Sequence, residues 1–162
     1  MAISKEAAEI SLITRMELGL LYKLPSEVQS AIDDNRSVIF YRHDRPAAFC
    51  LWHFWDNWCE ITSLYIHPDL RSSGLLGRVY KELHRKLGTA INNAFIFTRH
   101  PVVANLVRKS GFKAAKIWEL PLPIIWKLIF HRLHPARMVS YWKFGPKIFS
   151  LRFRLFILEN TP

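Results

Sequence analysis

The order of apolar and polar positions sets out most of the elements before any composition is counted. In the first 34 residues Ile13, Met16, Leu20 and Leu21 recur at helical spacing, and Pro25-Ser26-Glu27 reads as a second helix start that runs out near Asp33-Asp34. Ile10 to Thr14 also fits a short first strand. Val38–Arg42 and Ala47–Trp55 are rich in β-branched and aromatic residues, with Asp44-Arg45-Pro46 between them. Trp58–Ile66 follows after the two-residue turn Asp56-Asn57, so the three runs predict an antiparallel meander. His67-Pro68-Asp69 stops the third run, and Gly74–Leu87 places Leu75, Val79, Leu83 and Leu87 on one helix face before Gly88 ends it. A buried strand over Ala94–Thr98, a short helix over Pro101–Lys109 and a strand over Ala114–Trp118 complete an alternation of strand and helix. That alternation predicts an α/β (α+β) layer with one sheet.

Beyond Trp118 the pattern changes. Pro121 and Pro123 interrupt the chain, Ile124–Leu133 is an apolar and basic helical stretch, and Phe149–Leu158 alternates Leu151, Phe153 and Leu155 against Arg152 and Arg154 as a final strand does. About 30 residues separate the last two strands, more than an ordinary connection needs, which assigns them a role of their own. With no repeat and no low-complexity linker, residues 1–162 read as one domain, with a core over 35–118 and an extension over 119–162.

Charge sharpens that division. Residues 1–119 carry 16 basic against 12 acidic side chains, whereas residues 120–162 carry seven basic side chains against Glu159 alone. A positive field of this kind attracts phosphates, acidic head groups and anionic cofactors. The first residues lack the pattern of a secretory leader, and no apolar run is long enough to cross a bilayer, so a cytoplasmic site of action is expected. In the expected hairpin register Cys59 faces Phe54 and Cys50 faces Ser63, which leaves the two cysteines unbonded, and the histidines show no zinc spacing, so no metal is expected.

The sharpest chemical signal is Leu64-Tyr65-Ile66-His67-Pro68-Asp69-Leu70-Arg71-Ser72-Ser73-Gly74-Leu75-Leu76-Gly77. A strand delivers the chain to a turn of small residues, and the turn opens a helix whose first amides have no acceptor within the helix. Those donors and the positive end of the helix suit a pyrophosphate, although the same residues would also serve as a plain helix cap. The segment resembles the coenzyme A motif of the GNAT acyltransferases, Gln/Arg-x-x-Gly-x-Gly/Ala, through Arg71, Gly74 and the strand before them. It departs at Leu76, where the family prefers Gly or Ala; Gly77 follows one step later. Thr98-Arg99-His100-Pro101 through Gly111-Phe112 looks like the family's second coenzyme-binding stretch, and with the meander the resemblance covers roughly residues 35–118.

The resemblance implies a twisted mixed sheet flanked by helices, with the basic aromatic insert before the last strand. It also implies acetyl-CoA or another acyl-CoA as co-substrate and transfer of the acyl group to an amine. The backbone of Leu64 and Ile66 would run beside the pantetheine arm, and Arg71, Ser72, Ser73, Gly74, Leu75, Leu76 and Gly77 would hold the pyrophosphate, with His100 and Asn105 as further cofactor contacts. Direct attack by an amine needs a base. Glu60 lies where some members of the family carry a glutamate base, and its expected cross-strand neighbour is His53, so the two are catalytic candidates as a tuned pair; an ordinary ion pair on the sheet surface is the alternative. Val107 occupies the position of the family's common tyrosine acid, which leaves Tyr65, Tyr80 and His100 as local candidates. The extension, through residues 121–147, would border the acceptor site and presents an apolar face with a cationic rim, suited to a greasy acceptor or an anionic membrane; the plain alternative is a helix packed on the sheet. Its aromatics sit at core-like spacing, which argues against nucleic acid. Monomer and homodimer are both compatible with the sequence, and so is a CoA-binding module without fast catalysis.

Overall fold

The computed structural model describes residues 2–17, 20–88, 93–135, 137–138 and 153–159. The helices are α1 (Lys5–Met16), α2 (Pro25–Asp33), α3 (Leu75–Leu87), α4 (Pro101–Lys109) and α5 (Leu122–Arg132). The strands are β1 (Ser37–Arg42), β2 (Arg45–Trp55), β3 (Trp58–Ile66), β4 (Asn93–Thr98), β5 (Lys113–Ala115) and β6 (Arg154–Glu159). They form a mixed α/β sheet in the order β1-β2-β3-β4-β6-β5. By contacts the chain divides into two compact units, residues 1–53 with 61–90 and residues 54–60 with 91–162.

In the first unit α1 settles the ambiguity over Ile10–Thr14 in favour of helix. Ala7, Ile10, Ser11 and Thr14 make one buried stripe at three- and four-residue spacing, and its two hydroxyl residues are satisfied, Ser11 by the Lys23 carbonyl at 2.7 Å and Thr14 by the Ser11 carbonyl at 2.8 Å. Ser4 caps α1 by accepting from the Ala7 amide at 3.1 Å. Pro25 opens α2, and Glu27 reaches back to the Leu24 amide at 2.8 Å. Ala7, Ile10, Val28 and Ala31 from the helices pack with Phe49, Leu51 and Tyr65 from the strands.

Strands β1 and β2 turn through His43 and Asp44, both at positive φ (50° and 58°), as a tight primed hairpin requires. The separator read at Asp44–Pro46 is therefore only partly a turn, since β2 already begins at Arg45. A register shift at Phe40/Tyr41 falls opposite Pro46, which has no amide to donate to the ladder. The β2–β3 hairpin turns at Asp56-Asn57 as expected, with Asp56 in the left-handed region at φ 55°. Both cysteines are buried, and they are not bonded to each other. Helix α3 is held near β1 by Arg78 over the Phe40 ring at 5.1 Å and by the Lys86 ammonium, which donates to the Asn35 side chain and the Ser37 carbonyl at 2.6 and 2.7 Å.

In the second unit β6 lies between β4 and β5, antiparallel to both, with Asn93 opposite Glu159 and Lys113 opposite Ile157. Gly111, at φ 91°, carries the chain out of α4 and lets the Phe112 amide reach the Val107 carbonyl at 3.1 Å. The strand expected over Ala114–Trp118 is three residues long. Glu119 accepts from the Lys116 amide at 2.6 Å and coils Ile117–Glu119 into a 3₁₀ turn instead. Trp58, Phe95, Leu120, Ile124, Leu128, Leu155 and Ile157 form this unit's core. Of the extension and final strand read from the sequence, residues 136, 139–152 and 160–162, Lys143, Leu151 and Arg152 among them, lie outside the described residues.

Candidate functional site

The loop after β3 is built almost wholly by backbone. Beyond Ile66, His67 caps a 3₁₀ turn over Pro68–Leu70, and the Arg71 Nε–H donates back to the Ile66 carbonyl at 3.4 Å. The Ser73 amide and hydroxyl both donate to the Leu70 carbonyl, at 3.1 and 2.7 Å, which tightens the turn. Gly74 then adopts φ 75°, ψ 2°, a left-handed conformation that costs any L-residue about 1–2 kcal/mol, and α3 begins at Leu75. The amides of Leu75 and Leu76, in the first turn, have no earlier helical carbonyl to reach. Leu75 turns into the core, Leu76 is half-buried, and Arg71, Ser72, Ser73, Gly74 and Gly77 are exposed. A methyl group at Gly77 would meet no heavy atom within 4 Å. The departure from the motif at Leu76 thus leaves an open, small-residue surface one position later.

Along β3, Ile61, Ser63 and Tyr65 are buried while Thr62, Leu64 and Ile66 are half-buried. Tyr65 stacks on Phe49 with ring centroids 5.2 Å apart, and burial raises its phenol above the ordinary value. Tyr80 is buried with its ring edge-on to His84 at 4.6 Å, and burial lowers the His84 imidazole.

In the second unit Glu60, 2% exposed, receives a hydrogen bond at each carboxylate oxygen. The Trp55 indole N–H donates to Oε2 at 2.8 Å and the Arg132 guanidinium to Oε1 at 3.2 Å. That guanidinium lies 4.4 Å over the Phe97 ring, and its buried Nε finds no hydrogen-bond partner among the described residues. Lys127 of α5 meets both carboxylate oxygens of Asp56 at 2.7 Å, and His131 sets its ring against Trp55 at 5.2 Å. Beside Glu60, burial first and the Glu60 charge second push the Cys59 thiol up to about 12. His53, in the first unit, places Nδ1 3.3 Å from Arg36, which also meets Asp34 and Ser30. The sequence gives no sign of Arg132 as a partner of Glu60. A contact spanning 72 residues leaves no periodic trace; the only hint was a cation-rich tail with one carboxylate of its own.

His100 is the N-cap of α4, its amide donating to the Thr98 hydroxyl at 3.1 Å, and Pro101 takes the first helical position. Asn105 is exposed and accepts from Arg108 at 3.4 Å. Val107 is 1% exposed and belongs to the core. Among the described residues no group of three or more His, Cys, Asp or Glu is placed to hold a metal ion.

No family model and no curated protein matches the sequence. Solved structures do. Rv2747 from Mycobacterium tuberculosis, in complex with CoA, is 13% identical with a TM-score of 0.64, over 96% of this chain and 93% of that one. N-acetylglutamate synthase from Neisseria gonorrhoeae, complexed with coenzyme A and N-acetyl-glutamate, is 15% identical with a TM-score of 0.63, over 98% of this chain and 34% of that one. An acetyltransferase of the GNAT family from Staphylococcus aureus is 11% identical with a TM-score of 0.53, over 83% of this chain and 74% of that one. At these identities what is shared is the architecture: the chain has the fold of the GNAT acetyltransferases.

Proposed function

We propose that the protein is an acyl-CoA-dependent N-acyltransferase, with acetyl-CoA as the donor and an amine as the acceptor, acting on the cytoplasmic side. The observation that carries the reading is the left-handed turn at Gly74, which opens α3 directly after β3 on an exposed surface of small residues. There the first amides of α3, the Arg71 cation and the open face of Gly77 suit a pyrophosphate, and the half-buried Leu64 and Ile66 offer the strand backbone to the pantetheine amides. In the reaction the amine nitrogen attacks the thioester carbonyl, the carbon–sulfur bond breaks, the nitrogen gives up a proton and the departing thiolate accepts one. Glu60 is the candidate for the first proton. Both its oxygens already accept hydrogen bonds, so it would take the proton on a remaining lone pair or through water.

A second reading, a CoA-binding module without fast transfer, is favoured by Val107, whose burial puts no hydroxyl where the resemblance expects an acid. Calorimetry with acetyl-CoA and free CoA tests the shared part. Wild type is expected to bind both, and Gly74→Glu, which adds a carboxylate against the phosphates, to lose at least roughly a hundredfold in affinity. A folded wild type that binds neither overturns both readings. With binding in hand, acetyl release in a screen of amine acceptors chooses the enzyme, and its absence across the screen chooses the module.

A further inference from the structure

Helix α5 is apolar on two opposite sides, and among the described residues only one of them is packed into a core. At about 3.6 residues per turn, Ile124 and Leu128 fall on the side that enters the core of the second unit. Leu122, Trp126, Ile129, Phe130 and Leu133 fall on the other side and stay exposed, Phe130 at 70%, Leu122 at 66% and Trp126 at 53%. The Trp126 and Phe130 rings stack with centroids 6.0 Å apart and present one continuous aromatic surface. Lys127 and Arg132 mark the two borders between the sides, and each is tied to the β2–β3 hairpin, Lys127 to Asp56 and Arg132 to Glu60. The clamps fix the helix in rotation, so the outward stripe is held outward. In the 3₁₀ turn that precedes α5, Trp118 is also exposed, at 69%, with Lys116 over its ring at 5.1 Å.

We infer that this stripe is an interfacial docking face for an anionic lipid surface. Charge selects that occupant. The unit that carries the stripe, residues 54–60 with 91–162, has 12 basic side chains against four acidic ones, Asp56 and Glu60 included, so it is complementary to acidic head groups and would repel a second copy of itself. The composition of the stripe, Trp, Phe, Leu and Ile beside Lys and Arg, is that of a helix lying in the head-group boundary. At 11 residues α5 is too short to cross a bilayer, and no described helix is long and apolar enough to do so. The inference stands apart from the acyl-transfer reading and does not depend on it.

Vesicle flotation of the full chain tests it, with vesicles of phosphatidylcholine alone and of an equal mixture of phosphatidylcholine and phosphatidylserine. Wild type is expected to float with the mixture, less so as salt is raised, and Trp126→Ser combined with Phe130→Ser to lower that binding at least roughly tenfold. Both side chains are exposed, so the double variant is expected to keep the wild-type thermal midpoint. Should it unfold, a second measurement decides: brominated phosphatidylcholine in the mixed vesicles is expected to quench the emission of wild type more than that of Trp126→Phe. The inference is overturned if wild type ignores the mixed vesicles, if the folded double variant binds them equally well, if quenching is the same with and without Trp126, or if light scattering shows a wild-type dimer that the double variant dissolves.

Discussion

Two regions of the molecule, one in each compact unit, are made of different materials. The loop over residues 71–77 is backbone: its shape comes from Gly74 at positive φ, from the turn closed on the Leu70 carbonyl and from the absence of side chains at Gly77. The hairpin tip is side chain: Glu60 is held by Trp55 from its own strand pair and by Arg132 from α5. A backbone cradle tolerates most substitutions but fails when one special dihedral is lost. A buried charge pair behaves in the opposite way, since removing either member strands the other. The contrast also separates two kinds of duty, the phosphate binding proposed for the loop and the positioning of a carboxylate at the tip.

The sharpest break in that comparison is expected at Arg132. Arg132→Leu leaves the Glu60 carboxylate, 2% exposed, with the Trp55 indole as its remaining donor among the described residues, and should cost about 2–4 kcal/mol in urea or thermal unfolding. Adding Glu60→Gln should recover at least half of the loss, because a neutral amide needs no cation. In Glu60→Gln alone, CoA affinity should match wild type while acetyl transfer falls about a hundredfold if Glu60 takes the proton. An unchanged transfer rate in the folded variant would leave Glu60 as a clamp between hairpin and helix and nothing more.

How much of this was legible beforehand follows from the same contrast. The loop could be read because strand, turn and helix are consecutive: alternation ends at Ile66, Pro68 and Gly74 punctuate, and the apolar period of Leu75, Val79, Leu83 and Leu87 takes over. The two-residue turn at Asp56-Asn57 belongs to the same local order, whereas the separator Asp44–Pro46 is mostly strand, because β2 begins at Arg45 and the turn lies at His43-Asp44. The tip could not be read. Glu60 and Arg132 are brought together by α5, and nothing at position 60 announces a partner 72 residues on. The insertion of β6 between β4 and β5 was hidden for the same reason, since sequence order does not give spatial order. On α5 the apolar residues were visible, but their division between a packed side and an exposed one depends on which side meets Trp58 and Phe95.

A smaller effect sharpens the loop's half of the comparison. Gly74→Ala adds no clash, because a methyl group there meets nothing within 4 Å, and it changes only the cost of the left-handed dihedral. Thermal unfolding should show a loss of about 1 kcal/mol, and calorimetry should show CoA affinity within several-fold of wild type, since the amides remain. A loss of affinity as large as that of Gly74→Glu would mean that the backbone relaxes out of the left-handed region and takes the donors with it.

The least disruptive change is the most informative about where the phosphates rest. Gly77 sits in the first turn of α3 with open space in front of it, so Gly77→Ala gains helix propensity and should stabilise the fold by about 0.5–1 kcal/mol, opposite in sign to Gly74→Ala. If the pyrophosphate rests against this surface, the same methyl group should weaken CoA binding several-fold in calorimetry while the thermal midpoint rises. A more stable protein with unchanged CoA affinity would move the phosphates away from Gly77 and onto the turn formed by Ser72, Ser73 and Gly74. Stability and affinity moving in opposite directions is the signature of a glycine kept for a ligand's approach, because a glycine kept for the fold would move them together.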